Sequence, residues 1–264
     1  MKKKLLPLVL ILIIFIAAVM PRILVDVNGR KYLAEKYGDS TYYISSVNYD
    51  FKTGGFYLII DAPESPDSGF TLYAGMSGKI GYDTYESAVE GRGNTAGRIN
   101  DEYRSAVDEV FADSAISFSH DIAFGDIEFK ESDAQVGDEI PDYAVEMKSL
   151  TLDGEYDIAE FGKKAGHLTV YACDEDVSAE RLAELLLEIK GAMDEKGVTF
   201  KAIDAVLEHQ PDEEGNVSED RVEVMSFLYD EIYEKDLAGR VKESDRNAKA
   251  YYESQDEMKE EEVQ

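Results

Sequence analysis

The chain has no tryptophan, a single cysteine, only three histidines and six prolines in 264 residues, and fewer than half as many basic as acidic residues. One cysteine, Cys173, rules out an internal disulfide framework. It sits in the strand-like stretch HLTVYAC, where it reads as a buried, inert thiol. A lipid-modified export signal needs a cysteine directly after its apolar run, and none stands there. His120, His167 and His209 are never spaced i, i+3 or i+4, so no zinc motif is present. The scarcity of Lys and Arg gives a formal net charge of −29, which repels phosphate backbones and excludes nucleic acid as a partner.

Complete catalytic and cofactor motifs are missing as well. QPDEEGNVSED aligns with a calcium loop only if Gln210 takes the first position, where an aspartate is required. GRGNTAG (91–97) follows no strand and lacks the G-K-[ST] of a phosphate-cradling loop. Gly91, Gly93 and Gly97 there shape a helix-to-helix corner. GMSGK (75–79) holds Ser77 without the second glycine of a nucleophile elbow, and no S-x-x-K box exists. No catalytic residue, cofactor or metal site is therefore expected. DEDVSAE keeps a weak calcium-binding alternative open beside its reading as an acidic entry to a helix.

What the sequence has is a beginning unlike the rest. Lys2, Lys3 and Lys4 precede an uncharged, almost wholly apolar run over residues 5–20. As a helix that run is about 24 Å long, and Ile23, Leu24 and Val25 extend it toward the ~30 Å of a hydrocarbon core. The basic tip belongs on the cytoplasmic side and sends the remainder outside. A cleaved secretory signal is the alternative. Ala17 and Ala18 are adjacent, however, so every cleavage register pairs one of them with bulky Ile16 or Val19. The expectation is an uncleaved single-pass signal anchor at the cell membrane with extracytoplasmic domains. Without the three lysines, 24 basic residues face 56 acidic ones, a net of −32. Such a body attracts cations and basic protein faces.

About 240 residues follow, enough for two small domains. The expected divisions are 1–28 for the basic tip and anchor, 29–131 for a first α+β domain and 132–142 for a linker. A second α+β domain takes 143–243, and an acidic solvated tail, helical or disordered, takes 244–264. In the first, RKYLAEKYG is a short helix capped by Gly38, with Gly29 interrupting its continuity with the anchor. TYYISSVNYD, GFYLIIDAP and GFTLYAG are antiparallel strands, the first two joined by a hairpin at Gly54 and Gly55. TAGRINDEYRSAVDEVF is a helix with Ile99, Tyr103, Ala106, Val107 and Val110 on one stripe and Asn94 or Thr95 at its cap. ISFSH and IAFGDIEFK are strands, with Gly125 a turn or bulge.

In the second domain YAVEMKSL and HLTVYAC are strands and IAEFGKKAG is a short helix. VSAERLAELLLEIKGAMDEKG is the strongest helix of the chain. Ser178 caps it, Leu182, Leu185, Leu186, Ile189 and Met193 form its apolar stripe, and Gly197 ends it. FKAIDAVLEH and RVEVMSFLY are two further strands. The fold class is α+β: an N-terminal transmembrane helix, then two domains, each an antiparallel-rich sheet with helices on one face. Tyrosine is abundant at 17, and Tyr42, Tyr43, Tyr49 and Tyr57 suit sheet packing first and recognition second.

The anchor followed by YLAEKYGD, SVNYDFKTGGFYLIIDAP and YDTYESAVEGRGNTAGRINDEYRSAV resembles the N-terminal half of the YfjL-like family. HLTVYACDEDVSAERLAELLLEIKGAMDEKGVTFKAIDAVLE and VMSFLYDEIYEKDLAGRV resemble its C-terminal domain. Asn94, Thr95, Arg98 and Tyr103 are the most distinctive matching residues and the candidate interaction residues. The resemblance implies a membrane-tethered protein of a Gram-positive envelope and brings no catalytic residues. The function expected is that of a binding or interaction module engaging a membrane protein or a cationic partner. An envelope enzyme with a site assembled from scattered residues is the competing class.

Overall fold

The computed structural model describes residues 2–38, 41–112, 118–131, 140–211 and 220–262, the side chains of 2–18, 121 and 255–262 excepted. The chain folds as two compact units, residues 1–97 with 147–154 and residues 98–146 with 155–264.

The first unit is a four-stranded meander under one helix. β1 (Tyr43–Asp50), β2 (Gly55–Asp61), β3 (Phe70–Gly75) and β4 (Ile80–Asp83) pair antiparallel in chain order. Alternation puts Phe56, Leu58 and Ile60 of β2 and Phe70, Leu72 and Ala74 of β3 on one buried face. Helix α1 (Lys2–Tyr37) lays Val25 and Leu33 into the same core. Gly38, at φ +65°, ends it as expected. Gly29 does not interrupt α1. Its missing side chain is a packing feature instead, since a methyl group there would lie 2.6 Å from Leu58 Cδ2. The far end of α1 is clamped by Asp83, whose side chain is 5 % exposed. Its Oδ2 accepts hydrogen bonds from Tyr32 at 2.5 Å, Lys36 at 2.7 Å and Tyr37 at 2.9 Å. Burial works against the charged form of Asp83. These bonds and the Tyr85 amide outweigh it and hold the carboxyl below its ordinary pKa. Tyr37, Tyr42, Phe70 and Tyr85 pack in edge-to-face and tilted pairs around this end.

Among the described residues no helix is long and apolar enough to cross a membrane. The side chains of the apolar run, residues 5–18, lie outside them.

The second unit is built on a mixed sheet in the order β10 (Arg221–Leu228), β9 (Ala202–Glu208), β8 (Gly166–Cys173), β5 (Ser119–Ile127). The β8–β9 pair is parallel, because α4 (Ala179–Lys196) makes the crossover between them. Ser178 Oγ accepts from the Arg181 amide and Gly197 closes the helix at φ +69°. Leu182, Leu185, Leu186, Ile189 and Met193 are all buried to 1 % exposure or less, as the stripe predicts. α2 (Gly93–Phe111) leads into this unit, α3 (Ile158–Ala165) precedes β8, and α5 (Leu237–Glu262) follows β10. β6 (Phe129–Lys130) and β7 (Val145–Glu146) form a two-residue parallel pair.

Several expectations change. The division between units falls after Gly97, inside α2, rather than at 132–142, of which residues 132–139 lie outside the described set. The reason is strand pairing: β5, assigned by sequence order to the first domain, bonds along its whole length to β8. ISFSH and IAFGDIEFK are mostly one strand with a register shift between His120 and Ile122, so the bulge is not at Gly125. YAVEMKSL supplies only two strand residues before a 3-10 turn. The tail expected from residue 244 is a helix, the continuation of α5, but it is not solvated all round. There Ala248 is buried and Asp245 accepts a hydrogen bond from the Glu223 amide at 3.1 Å.

Candidate functional site

The four residues singled out by sequence all stand on α2 but are not brought together as a surface. Neither Asn94 nor Thr95 is the cap, because α2 already begins at Gly93, after Arg92 takes a left-handed φ of +68°. Asn94 Nδ2 donates to the carbonyls of Asp67 and Gly69 at 2.8 and 2.6 Å, tying a loop to the start of α2. Thr95 is fully buried, and its Oγ1 has no hydrogen-bond partner. Arg98 pairs with Glu102 one turn on, at 3.2 Å.

Tyr103 is 0 % exposed and donates its hydroxyl proton to the Thr199 carbonyl at 2.9 Å. Its ring fills the space left by three glycines. A methyl group at Gly125 or Gly162 would lie 2.9 or 2.7 Å from the ring, and one at Gly166 would collide with the hydroxyl. These three positions, on β5, α3 and β8, make Tyr103 the centre of the core. It cannot act as a contact residue.

Among the described residues, the second sheet has one buried face and one that is open on its β5 and β8 side. Leu168, Val170 and Ala172 of β8 pair with Ile203, Ala205 and Leu207 of β9, all buried, and α2 packs over them at Gly125. On the opposite face the register lines up rows across the strands. Ile122, Tyr171, Val206 and Glu223 form one row, Phe124, Thr169 and Asp204 the next, and Asp126, His167 and Ala202 the third. Ile122 and Tyr171 are exposed. Toward β10 the face is closed by α5, whose Tyr252 ring lies 5.6 Å from the Arg221 guanidinium.

His167 is the centre of the polar part of this face, with its side chain 11 % exposed. Nδ1 lies 3.1 Å from the Tyr143 hydroxyl and 3.3 Å from Glu128 Oε1. Nε2 lies 3.1 Å from Asp204 Oδ1, close enough for a strong charge interaction but without hydrogen-bond alignment. Asp204 is itself fixed by the Ser226 amide, 2.6 Å from the same oxygen, where a bulge in β10 turns Ser226 to φ +47°. Burial pulls the imidazole pKa down, yet Asp204 and Glu128 together raise it to about 9. Burial also pushes the Tyr143 hydroxyl up to about 12. The two carboxylates thus favour the charged form of His167 against its burial.

The other histidines stand apart from it. The rings of Phe111 and Phe118 meet His120 edge-on, and its Nδ1 is buried without a partner. His209 lies just past β9. Among the described residues no group of three His, Cys, Asp or Glu is placed to hold a metal ion. Residues 212–219, most of the loop tested as a calcium site, lie outside them. Cys173 is buried and in no disulfide. A cleft of about 490 Å³ between α3 and the start of β9 carries Lys163 and Lys201 against Glu160 and Asp230, with Phe200 and Tyr229 as its aromatic wall. Its charges balance, so it favours neither anion nor cation.

Sequence reasoning missed the His167 group. The alternation in HLTVYAC does put His167, Thr169 and Tyr171 on one face. Bringing Asp204 and Glu128 to it requires the register of β8 against β9 and β5, which no local pattern specifies.

No curated protein and no solved structure matches the chain. The family model of the YfjL-like C-terminal domain matches residues 102–242, from within α2 to the first turns of α5 and therefore over most of the second unit. With more than half of its length matched, the chain belongs to the YfjL-like family.

Proposed function

We propose that the protein is a membrane-anchored, extracytoplasmic binding or interaction module of the bacterial envelope. Residues 5–20 and the lead into Leu24 form the single span, the three lysines stay in the cytoplasm, and both units stand outside. The contact surface is the open face of the second sheet. The observation that carries this reading is the row of exposed Ile122 and Tyr171, with the Asp204 carboxylate in the next row and Glu128 further along the same face. Apolar anchors next to negative charge suit a basic, partly apolar polypeptide segment, which the strongly acidic body also attracts at long range.

The test has two arms. Protease added to intact cells should degrade the chain beyond residue 30, and full protection would refute external display. Full-length protein in lipid nanodiscs, titrated with a Lys- and Leu-rich peptide, should bind it in a salt-sensitive way. The exposed-site double variant Ile122→Ala, Tyr171→Ala should weaken that binding by about tenfold or more. Equal binding by the variant would remove this face as the contact surface.

A further inference from the structure

The first unit gathers its two turn tips at one end. Gly55 pairs with both Asp50 and Gly75, so the β1–β2 turn (51–54) and the β3–β4 turn (76–79) project side by side. That end is seated on α1 by Gly78. A side chain at Gly78 would lie 3.0 Å from Leu24 Cβ, its φ is +80°, and its carbonyl accepts from Asn28 Nδ2 at 2.9 Å. The position of Leu24 gives this contact its meaning. The apolar run begins at Leu5, and about 20 helical residues cross a ~30 Å hydrocarbon core, which therefore ends close to Leu24. Because α1 is continuous from Lys2 to Tyr37, no slack separates the run from the sheet, and the turns stand at the level where lipid meets water.

Their composition fits that level. Phe51 is 79 % exposed, and Tyr49 and Met76 are exposed beside it. On the facing part of α1, Met20, Ile23, Leu24 and Val27 are exposed too. The two turns contain Lys52 and Lys79, both exposed, and no carboxylate, in a chain with 56 acidic residues. Two carboxylates at this end are engaged, and Glu35, which shares a cleft with Ser77 to Lys79, pairs with Lys31 at 3.6 Å. Asp50 takes bonds from the Lys52 amide and Thr53 Oγ1, and Asp26 pairs with Arg30 at 3.0 Å. Aromatic and apolar tips flanked by lysines are what a headgroup layer accommodates.

We infer that the first unit is docked on the outer leaflet through these two turns, with Phe51 and Met76 entering the headgroup–acyl boundary and Lys52 and Lys79 meeting lipid phosphates. This rests on reading residues 5–20 as the membrane span. The unit is then a fixed pedestal on the bilayer, and orientation at the surface is built into its fold.

The absence of tryptophan supplies the experiment. Full-length chains bearing Phe51→Trp, Met76→Trp, Tyr43→Trp or Leu12→Trp are reconstituted separately in phosphatidylglycerol–phosphatidylcholine vesicles with brominated acyl chains. Trp at 51 and 76 should lose about half of its emission or more, most strongly with bromine near the headgroup, while Trp at 43, at the other end of β1, stays unquenched. Trp at 12 reports the span itself and should be quenched most by deeply placed bromine. Quenching at 12 without quenching at 51 and 76 overturns the docking and leaves the anchor standing. A blue shift at 51 without bromine quenching means that protein, a second copy or another chain, covers the turns, and it overturns the docking equally. No quenching at 12 overturns the anchor and the docking together.

Discussion

The two units use similar material to opposite ends. In the first, the charged and tyrosine-rich cluster is sunk into the seam between helix and sheet, where Asp83 draws Tyr32, Lys36 and Tyr37 together. In the second, the seam is apolar and the charged cluster around His167 lies on the face that helices leave open. A buried ion group at a seam fixes one element against another. The same kind of group on an open face ties β8, β9 and the residue after β5 to one another, with its carboxylates about a third exposed. Under the function proposed above, the first unit is the mount and the second the reader.

The severest way to break this comparison is to empty one seam and watch the other. Leu186 is fully buried on α4. Leu186→Asp places an unpaired charge there and should abolish folding of the second unit, a loss above about 4 kcal/mol. Hydrogen exchange read peptide by peptide should show protection lost over β8 to β10 and kept over β1 to β4. Equal loss in both would mean that they fold as one. Tyr103→Ala comes next, at about 3–5 kcal/mol, because three glycines leave the site unable to collapse. Tyr103→Phe removes only the hydrogen bond to Thr199 and should cost about 1 kcal/mol. A melting scan of both variants separates the ring from its hydroxyl, and a small effect of the Ala variant would contradict the glycine cradle.

How much of this was legible beforehand follows from the range of each interaction. The stripe and caps of α4 are local and repeat every turn, so Leu182 through Met193 declared themselves. The hairpin at Gly54 was visible for the same reason. The role of Gly29 was misread because a helical glycine looks like a break until the neighbour it admits, Leu58, is known. Tyr103 was correctly placed on the buried stripe of α2 and also chosen as an interaction residue. What makes it purely structural is three glycines 22, 59 and 63 residues further on, a relation with no local signature. The domain boundary failed at β5 for the same cause: an antiparallel partner can come from either side in sequence, and β8 won. The His167 group sums these difficulties, since its members come from four separate segments.

Asp83→Asn tests the mount directly. The amide keeps the shape but cannot accept three donors as a carboxylate does, leaving tyrosine hydroxyls and Lys36 poorly matched. The expected loss is about 2–3 kcal/mol, confined to the first unit. Exchange of amides in β4 and at the end of α1 should quicken, with α4 unchanged. An unaltered first unit would mean that aromatic packing alone holds α1 down.

The smallest and most discriminating prediction concerns pH, because the two charged clusters titrate in opposite directions. Asp83 is held below its ordinary pKa, so its contribution is present above about pH 4 and is lost as acid protonates it. His167 is raised to about 9 from 6.5, so its contribution is complete below about pH 6.5 and disappears as the pH rises through 9. Its flanking carboxylates are about a third exposed. Solvent screening therefore keeps the effect on the order of 1–2 kcal/mol. Alkali should loosen the second unit first and acid the first, read as exchange rates in β8 and β9 against those in β4. His167→Gln keeps a polar group without the titration and should flatten the alkaline arm while leaving the acid arm intact. If the alkaline arm survives in that variant, another group governs it, and the imidazolium is not what stiffens the open face.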